Sequence, residues 1–238
     1  MAKKAASSKK SPRKAVRRVR PTRILARALL SFAGAIVISV GLFSVIPPPT
    51  TPYVLSEGLR LGGLRRDWIP IDAMSPVAVR SVIAAEDANF CLHWGFDMGQ
   101  LRAAISEGAD RGASTLTQQM VKNVWLWQGR SWPRKALEAV MTPVVEALWT
   151  KRRIAEVYLN VVEFDEGVFG IEAAAQHHFG IPASSLTARQ AGLLAAVLPN
   201  PKERQAINPS GFVDRRARAI ADGAATIRAD GRASCFED

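Results

Sequence analysis

Glu86 stands where a carboxylate could act as a general base. Val79, Val82 and Ile83 follow the i, i+3, i+4 spacing of one helix face, and Glu86 falls at i+7 on that face. Burial raises the pKa of a carboxyl group toward neutrality, where it accepts protons effectively. The alternative is a glutamate at the edge of the apolar face that turns to water at the helix end.

A second polar cluster lies in residues 111–123, Arg-Gly-Ala-Ser-Thr-Leu-Thr-Gln-Gln-Met-Val-Lys-Asn. A small loop leads into a predicted helix, with Ser114 or Thr115 as its N-cap. The free N–H groups of a helix start bind anions or sugar oxygens. Lys122 returns to the same face two turns later. The alternative is an ordinary capped helix with a polar face.

A third cluster occupies residues 130–138, Arg-Ser-Trp-Pro-Arg-Lys-Ala-Leu-Glu. Three cations stand at the start of a predicted helix, where they oppose the helix macrodipole. A bound polyanion such as a pyrophosphate would explain them. The alternative is a solvated charged turn.

The elements that must position these residues are mostly helical. Ser75 is predicted to cap a helix with Pro76 at its first position. Pro143 is expected to kink or break the helix that contains Glu138. The lack of two long alternating runs argues against an α/β sheet. Further helices are predicted at Leu101–Glu107, Ser114–Trp127, 131–148, 151–161, Ile171–Phe179, Ala188–Leu198 and 212–229.

The positive charge belongs to an N-terminal tail. The 238 residues carry 32 Lys and Arg against 21 Asp and Glu, for a net charge of +11. Eleven of the basic residues lie in residues 1–27, and the first acidic residue is Glu57. The rest of the chain is therefore balanced, which argues against a basic nucleic-acid groove. We expect residues 1–23 to be a disordered basic tail that faces the cytoplasm and anionic lipids.

An apolar segment follows the tail. Residues 28–46 carry no charge, and residues 24–46 contain only Arg27. About 20 apolar residues cross the hydrocarbon core of a bilayer, so we predict a transmembrane helix at 24–46. A cleaved signal peptide and a buried core helix are the rivals, but no small-residue cleavage site precedes Pro47. Residues 47–64 are predicted to be a Pro- and Gly-rich linker, with loop or short strand after residue 53, and residues 65–230 the catalytic domain.

Cysteine and histidine usage does not define a site. Cys91 and Cys235 are too few for a disulfide framework. One bridge between them is possible, although nothing in their spacing argues for it. His177 and His178 are adjacent, so on a helix they point about 100° apart, and no metal set is predicted.

Taken together, the motifs resemble the peptidoglycan glycosyltransferases (glycosyltransferase family 51). The matching segments, in order, are Glu86–Asp97, residues 112–123, Arg134–Glu138, Tyr158–Asn160, Gly170–Gly180 and Leu194–Pro201. No transpeptidase motifs follow, so the chain is most similar to the monofunctional members. The resemblance implies a mostly α, lysozyme-like glycosyltransferase domain behind a single N-terminal transmembrane helix.

The resemblance also implies roles for individual residues. Glu86 would be the general base in the polymerisation of lipid II, and Glu138 a second catalytic carboxylate near the leaving pyrophosphate. Glu138 would act directly or through a divalent cation, Mg²⁺ or Mn²⁺. Asp87, Phe90 and His93 would hold the first motif in shape. The implied substrate-binding residues are Arg102, Ser114, Thr115, Gln118, Gln119, Lys122, Asn123 and Arg130.

The implied partners are lipid II, the growing glycan strand, inner-membrane lipids and possible cell-wall synthesis or division proteins, with no nucleic acid. The implied location is the bacterial inner membrane, with the N-terminus cytoplasmic and the catalytic domain periplasmic. Trp125, Trp127 and Trp132 would suit a membrane-facing lobe, although they could equally be core residues.

Three positions depart from the family pattern. Ala113 replaces a glycine, Asp165 stands where glycine is common, and His178 stands where tyrosine is common. A glycan-cleaving lytic enzyme is one rival function, but it would not need the cations Lys122 and Arg130. A non-catalytic cell-wall scaffold is the other, and loss of Glu86 or Glu138 would have indicated it.

Overall fold

The structure, a computed structural model, describes residues 21–106 and 114–237. It is mostly helical, as the sequence predicted. The chain divides into two compact units, Met1–Ser39 and Val40–Asp238. Most of the basic tail and the loop with Ala113 lie outside the described residues.

Helices form most of the described chain. The α-helices are α1 Pro21–Phe43, α2 Pro52–Leu61, α3 Pro76–Glu86, α4 Met98–Ser106, α5 Leu116–Trp125, α6 Trp132–Leu148, α7 Lys151–Val161, α8 Ile171–Phe179, α9 Ala188–Val197, α10 Gly211–Ala229 and α11 Ser234–Glu237. Short 3₁₀ turns occur at Ile71–Ala73, Phe90–Leu92 and Ala183–Ser185.

A small sheet accompanies the helices. Its strands are β1 Arg65–Arg66, β2 Glu163–Asp165 and β3 Val168–Phe169, in the order β1-β3-β2. β1 is parallel to β3, and β2 is antiparallel to it. A short strand was one of the two alternatives predicted for residues 53–75, where β1 lies. Strands β2 and β3 were not predicted, because strands of two or three residues are too short to show alternation.

Helix α1 contains the predicted membrane span. Within the described part of the chain, Leu25–Phe43 is the segment long and apolar enough to cross a membrane. The helix ends at Phe43 rather than at Ile46. Its last residues belong to the second unit, where the Val40 carbonyl accepts a hydrogen bond from Trp149 Nε1 at 2.8 Å.

The predicted linker at 47–64 contains helix α2, so the expectation of loop or strand after residue 53 is wrong there. The Thr51 hydroxyl accepts from Val54 N at 3.2 Å and caps the helix. Pro52 follows at the first helical position, and Gly62 ends the helix in the left-handed region at φ 72°. These are ordinary signals for the start and end of a helix. They did not lead to a predicted helix because the nearby prolines indicated a linker.

Two further expectations about helix ends need correction. Ser75 does occupy the N-cap of α3, but its hydroxyl donates to the Leu186 carbonyl at 3.1 Å instead of capping the helix. Pro143 does not break α6, which continues to Leu148. Met141 and Val145 are buried on either side of it, so packing maintains the helix across the proline.

The core forms where α3, α9 and α10 pack together and where α5 packs on α6 and α7. At Gly192 of α9 an added Cβ would lie 2.4 Å from the Ala217 carbonyl of α10. Only glycine allows the two helices to approach this closely. These contacts fix the end of α3, and therefore Glu86.

A disulfide joins Cys91 to Cys235 across 144 residues of sequence. The spacing gave no signal for this bridge, because the two cysteines meet only through the tertiary fold. The bridge holds α11 against the turn that follows α3, close in sequence to Glu86.

Candidate active site

Glu86 is the last residue of α3 and is half-buried. Its Oε2 atom accepts a hydrogen bond from Gln119 Nε2 at 2.9 Å. Its Oε1 atom is buried and finds no hydrogen-bond partner among the described residues. Burial raises the pKa of Glu86, while Gln119 and the nearby charges of Arg216 and Lys122 lower it. A carboxylate with raised pKa and one unbonded oxygen is suited to accept a proton.

Tyr158 fixes the orientation of Gln119. The hydroxyl of Tyr158 donates to Gln119 Oε1 at 3.1 Å, and the tyrosine is fully buried. The amide oxygen of Gln119 is thereby occupied, so its Nε2 group points to Glu86. Burial raises the pKa of Tyr158 well above its ordinary value, which keeps the hydroxyl protonated as a donor.

Asp87 connects the first two motifs. Its carboxylate lies 2.9 Å from His93 Nε2 and accepts from the backbone N–H of Leu116 at 2.8 Å. Leu116 opens α5, where the helix dipole also favours a carboxylate. With Phe90 fully buried beside them, these contacts agree with the structural role predicted for Asp87, Phe90 and His93.

Thr115 and Gln118 form a capping box at the start of α5. Thr115 also donates its hydroxyl to the Gly95 carbonyl at 2.7 Å. Both side chains are buried. Their hydrogen bonds serve the fold, and their predicted contact with substrate stays a prediction. Gln118 also lines a pocket of about 240 Å³ together with Ser114 and Lys135.

Glu138 lies buried between two cations of its own helix. Arg134 Nη1 donates to its Oε2 at 2.8 Å, and Lys135 contacts its Oε1. Lys135 also donates to Ser114 Oγ at 3.1 Å. This network joins the start of α6 to the start of α5. Arg134 and Lys135 were predicted as two of the three cations that a polyanion would explain, but their pairing with Glu138 was not predicted, although the spacing could have indicated it.

The surroundings of Glu138 do not fit a divalent metal. Both of its oxygens are engaged by cations, and Lys122 adds a further positive charge nearby. Mg²⁺ or Mn²⁺ would need several oxygen ligands. In the described part of the chain, no group of three potential ligands includes Glu138. We therefore derive no step through a metal.

Lys122 is half-buried on α5. Burial and the charge of Arg134 lower its pKa, while Glu138 and Glu86 raise it. Its charge therefore acts on both carboxylates. No carboxylate of residues 21–106 or 114–237 lies within ion-pair distance of Lys122.

The structure separates the other predicted residues. Arg130 is exposed and lines a pocket of about 300 Å³ with Ser131, Trp132, Arg134 and Lys135. Arg102 is exposed on α4, and Asn123 is buried, where it accepts from Gln128 Nε2 at 3.2 Å. In the described part of the chain, neither Arg102 nor Asn123 contacts the carboxylates of Glu86 and Glu138.

Arg216 of α10 is a site residue that the motifs did not indicate. Its charge lowers the pKa of Glu86, and its Nε is buried without a partner in the described ranges. Arg216 lies 130 positions beyond Glu86 in the sequence, so only the packing of α10 on α3 reveals the relationship.

The tryptophans differ in exposure. Trp132 is 89% exposed and Trp127 48%, whereas Trp125 is half-buried and stacks on Phe43 at 6.1 Å. Of the three tryptophans, only Trp125 is therefore better described as a core residue than as a membrane-facing one. Helix α6 also exposes further large apolar residues, namely Leu137, Val140, Val144 and Leu148.

The described residues therefore place two carboxylates near Lys122, namely Glu86, whose pKa is raised, and Glu138, which is held among cations. The sequence profile of the transglycosylase family matches residues 56–225. The chain therefore belongs to the transglycosylase family and is a glycosyltransferase. This membership and the mostly helical architecture confirm the predicted lysozyme-like fold.

Similar proteins carry one name. The chain is 59% identical over 237 residues to a biosynthetic peptidoglycan transglycosylase of Jannaschia sp. (strain CCS1), which covers 99% of both chains. It is 50% identical to the protein of that name from Pseudomonas syringae pv. syringae, over 82% of this chain and 87% of the relative. It is 44% identical to the protein of that name from Caulobacter vibrioides, over 92% of this chain and 97% of the relative.

Proposed function

We propose that the protein polymerises lipid II into β-1,4-linked glycan strands and releases undecaprenyl pyrophosphate. The names of the similar proteins support peptidoglycan as the substrate class. The observation that carries the proposal is the position of Glu86, whose pKa is raised and whose Oε1 has no partner in the described chain. Lys122 supplies positive charge between this carboxylate and Glu138.

In the proposed reaction the Glu86 carboxylate takes the proton of the acceptor's sugar 4-hydroxyl. The hydroxyl oxygen attacks the anomeric carbon of the donor on the face opposite the diphosphate. A new C–O bond forms as the bond to the diphosphate breaks, and the diphosphate leaves with the electron pair. One displacement inverts the α-linked donor to a β linkage, and no second carboxylate is needed to activate water.

The cations of α5 and α6 would stabilise the leaving group. Negative charge develops on the diphosphate as the bond breaks, and cations already in position stabilise it without reorganisation. Lys122 and Arg130 are the candidates for direct contact. Glu138 would act through Arg134 and Lys135, which it holds at the start of α6.

The proposed location is the outer face of the bacterial inner membrane. Helix α1 is compatible with an anchor, and the basic residues before it favour a cytoplasmic N-terminus. The Cys91–Cys235 disulfide supports an oxidising compartment for the second unit. The exposed apolar face of α6, with Trp132 at its start, suits contact with lipid. Other cell-wall synthesis proteins are possible partners.

Polymerisation of fluorescent lipid II by the detergent-solubilised full chain tests the proposal. A ladder of glycan strands on a gel is expected, and Glu86→Gln should abolish it. Shortening of added glycan without polymer would instead favour a lytic enzyme. A folded sample that shows neither polymerisation nor cleavage would favour a non-catalytic scaffold.

A further inference from the structure

We propose that Asp165, His177 and His178 form a binding site for a zinc-class divalent cation. Asp165 ends strand β2, and the two histidines lie in the last turn of α8. One potential ligand atom from each residue lies within 4.8 Å of the other two. The proposal does not depend on the reaction assigned to Glu86.

The distances fit a metal that binds imidazole and carboxylate. Asp165 Oδ2 lies 3.5 Å from His177 Nε2 and 3.6 Å from His178 Nε2. Ligands about 2.0–2.2 Å from a tetrahedral zinc ion are themselves about 3.3–3.5 Å apart. A small contraction would therefore bring all three atoms into coordination, and water would supply the fourth ligand.

His178 provides an independent indication of a ligand. Its side chain is only 5% exposed, and its Nε2 is buried with no hydrogen bond to any described residue. A buried nitrogen without a hydrogen bond is costly, and a cation shared with the Asp165 carboxylate, which lies 3.6 Å away, would remove that cost.

The position in the fold also favours a cation. The carbonyl end of α8 carries partial negative charge, and Asp165 adds a full one. The adjacent histidines converge on one carboxylate although helix geometry separates them by about 100°. A metal here would fasten the β2–β3 hairpin to α8.

Arg65 opposes metal binding in one respect. Its Nη1 lies 3.0 Å from His177 Nδ1. A guanidinium only donates, so this contact places the imidazole proton on Nε2, the atom that faces Asp165. Metal binding requires that proton to move to Nδ1 and Arg65 to turn away. Arg65 is exposed, so an Arg65→Gln variant, which can accept from Nδ1–H, should bind zinc more tightly.

The test is zinc titration of the full chain, with no histidine tag, after chelation and desalting. One zinc per chain is expected, with a dissociation constant at or below about 1 μM. Asp165→Asn and His178→Gln should each weaken binding by about 100-fold or more, since even changes in outer partners cost 10–100-fold. Asp222→Asn, an exposed carboxylate on α10, is the matched control and should leave binding unchanged.

Two further measurements keep the test decisive. Zinc should raise the unfolding temperature of the wild type and of Asp222→Asn but not of the two ligand variants. Cobalt should give the visible spectrum of a tetrahedral site only where zinc binds. Binding that persists in Asp165→Asn and His178→Gln would place the metal elsewhere, such as at Asp87, His93 and Asp97, and overturn the proposal. No saturable binding in any variant would also overturn it.

Discussion

Gln119 donates its side-chain amide to Glu86 at 2.9 Å, which joins the start of α5 to the end of α3. Since Tyr158 occupies the amide oxygen, Gln119 can only donate to the carboxylate. The hydrogen bond stabilises the charged form of Glu86 and opposes the effect of burial on its pKa. Gln119 thus makes it harder for Glu86 to hold a proton, although burial still leaves the pKa of Glu86 raised.

We expect the rate of polymerisation to fall at acid pH. The midpoint of this fall should lie above 4.5, the ordinary pKa of a glutamate. A general base works only when deprotonated, and burial raises the pKa of Glu86, so the loss occurs as pH falls through that raised value. Glu86→Gln should lower the rate by about 10²–10⁴-fold above that pKa, and by less on the acid side, where the wild-type base is itself protonated. Rates measured from pH 4 to 9 check this prediction. A rate that did not fall at acid pH, that is, a profile without an acid limb, would contradict it.

Gln119→Leu should move the acid limb to higher pH. The variant removes a hydrogen bond to the carboxylate, so the pKa of Glu86 rises further. Activity should therefore be reduced most at low pH and recover as pH rises. Gln128→Leu is the matched control, because Gln128 bonds to Asn123 and not to Glu86. A uniform loss at all pH values would indicate that Gln119 affects only folding or binding.

Glu86→Gln should also be more stable than the wild type at pH 8. The pKa of Glu86 is raised in the folded state, so the folded chain binds more protons than the unfolded chain between 4.5 and that value. Stability therefore falls as pH rises through this window, and the penalty is fully present above it. Replacing the charge with an amide removes the penalty. Thermal unfolding at pH 8 and pH 4 checks this, with the difference expected to shrink at pH 4.

Arg134→Met should destabilise the fold more than Arg218→Met. Both arginines form an i, i+4 pair, but Glu138 is buried whereas Arg218 is 61% exposed in its pair with Asp214. Loss of a partner from a buried charge costs about 3–5 kcal/mol. Lys135 remains beside Glu138, so we expect about 3 kcal/mol, or roughly 6–12 °C in unfolding temperature.

For Arg218→Met the change should stay within about 0.5 kcal/mol, since an exposed ion pair contributes little. Thermal unfolding of the two variants in the same detergent checks the comparison. Equal losses would mean that Glu138 is not stabilised by Arg134.

Local signals account for the parts of the fold that the sequence predicted. The apolar spacing before Glu86 predicted α3, and Thr115 does cap α5 as one of the two candidates proposed. Thr150 likewise caps α7, where its hydroxyl accepts from Arg153 N at 3.1 Å. Each signal involves residues within four positions of one another, which is the range of helix caps and faces.

Contacts between distant residues could not be predicted in this way. Arg216 acts on Glu86, and Asp165 meets His178, only because separate helices and strands pack together. The adjacent histidines gave the opposite indication, since ideal helix geometry separates them. Such contacts depend on the tertiary fold, which periodicity and spacing do not specify.

The Cys91–Cys235 disulfide should support both stability and activity. It closes 144 residues of sequence, and a loop of this length contributes about 5 kcal/mol through the unfolded state. Cys91 lies in the turn after α3, between Asp87 and His93, which hold the active-site motif. Arg232 strengthens the same attachment by donating to the Ala88 carbonyl at 3.2 Å. Loss of the bridge should therefore loosen the segment next to Glu86.

The double variant Cys91→Ser, Cys235→Ser should unfold at a lower temperature and polymerise more slowly than the oxidised wild type. Reduction of the wild type should reproduce both changes, because it breaks the same bond. Adding reductant to the double variant is the control and should have no further effect. If the double variant lost stability but kept full activity at a temperature where it is folded, the bridge would stabilise the fold without positioning the active-site segment.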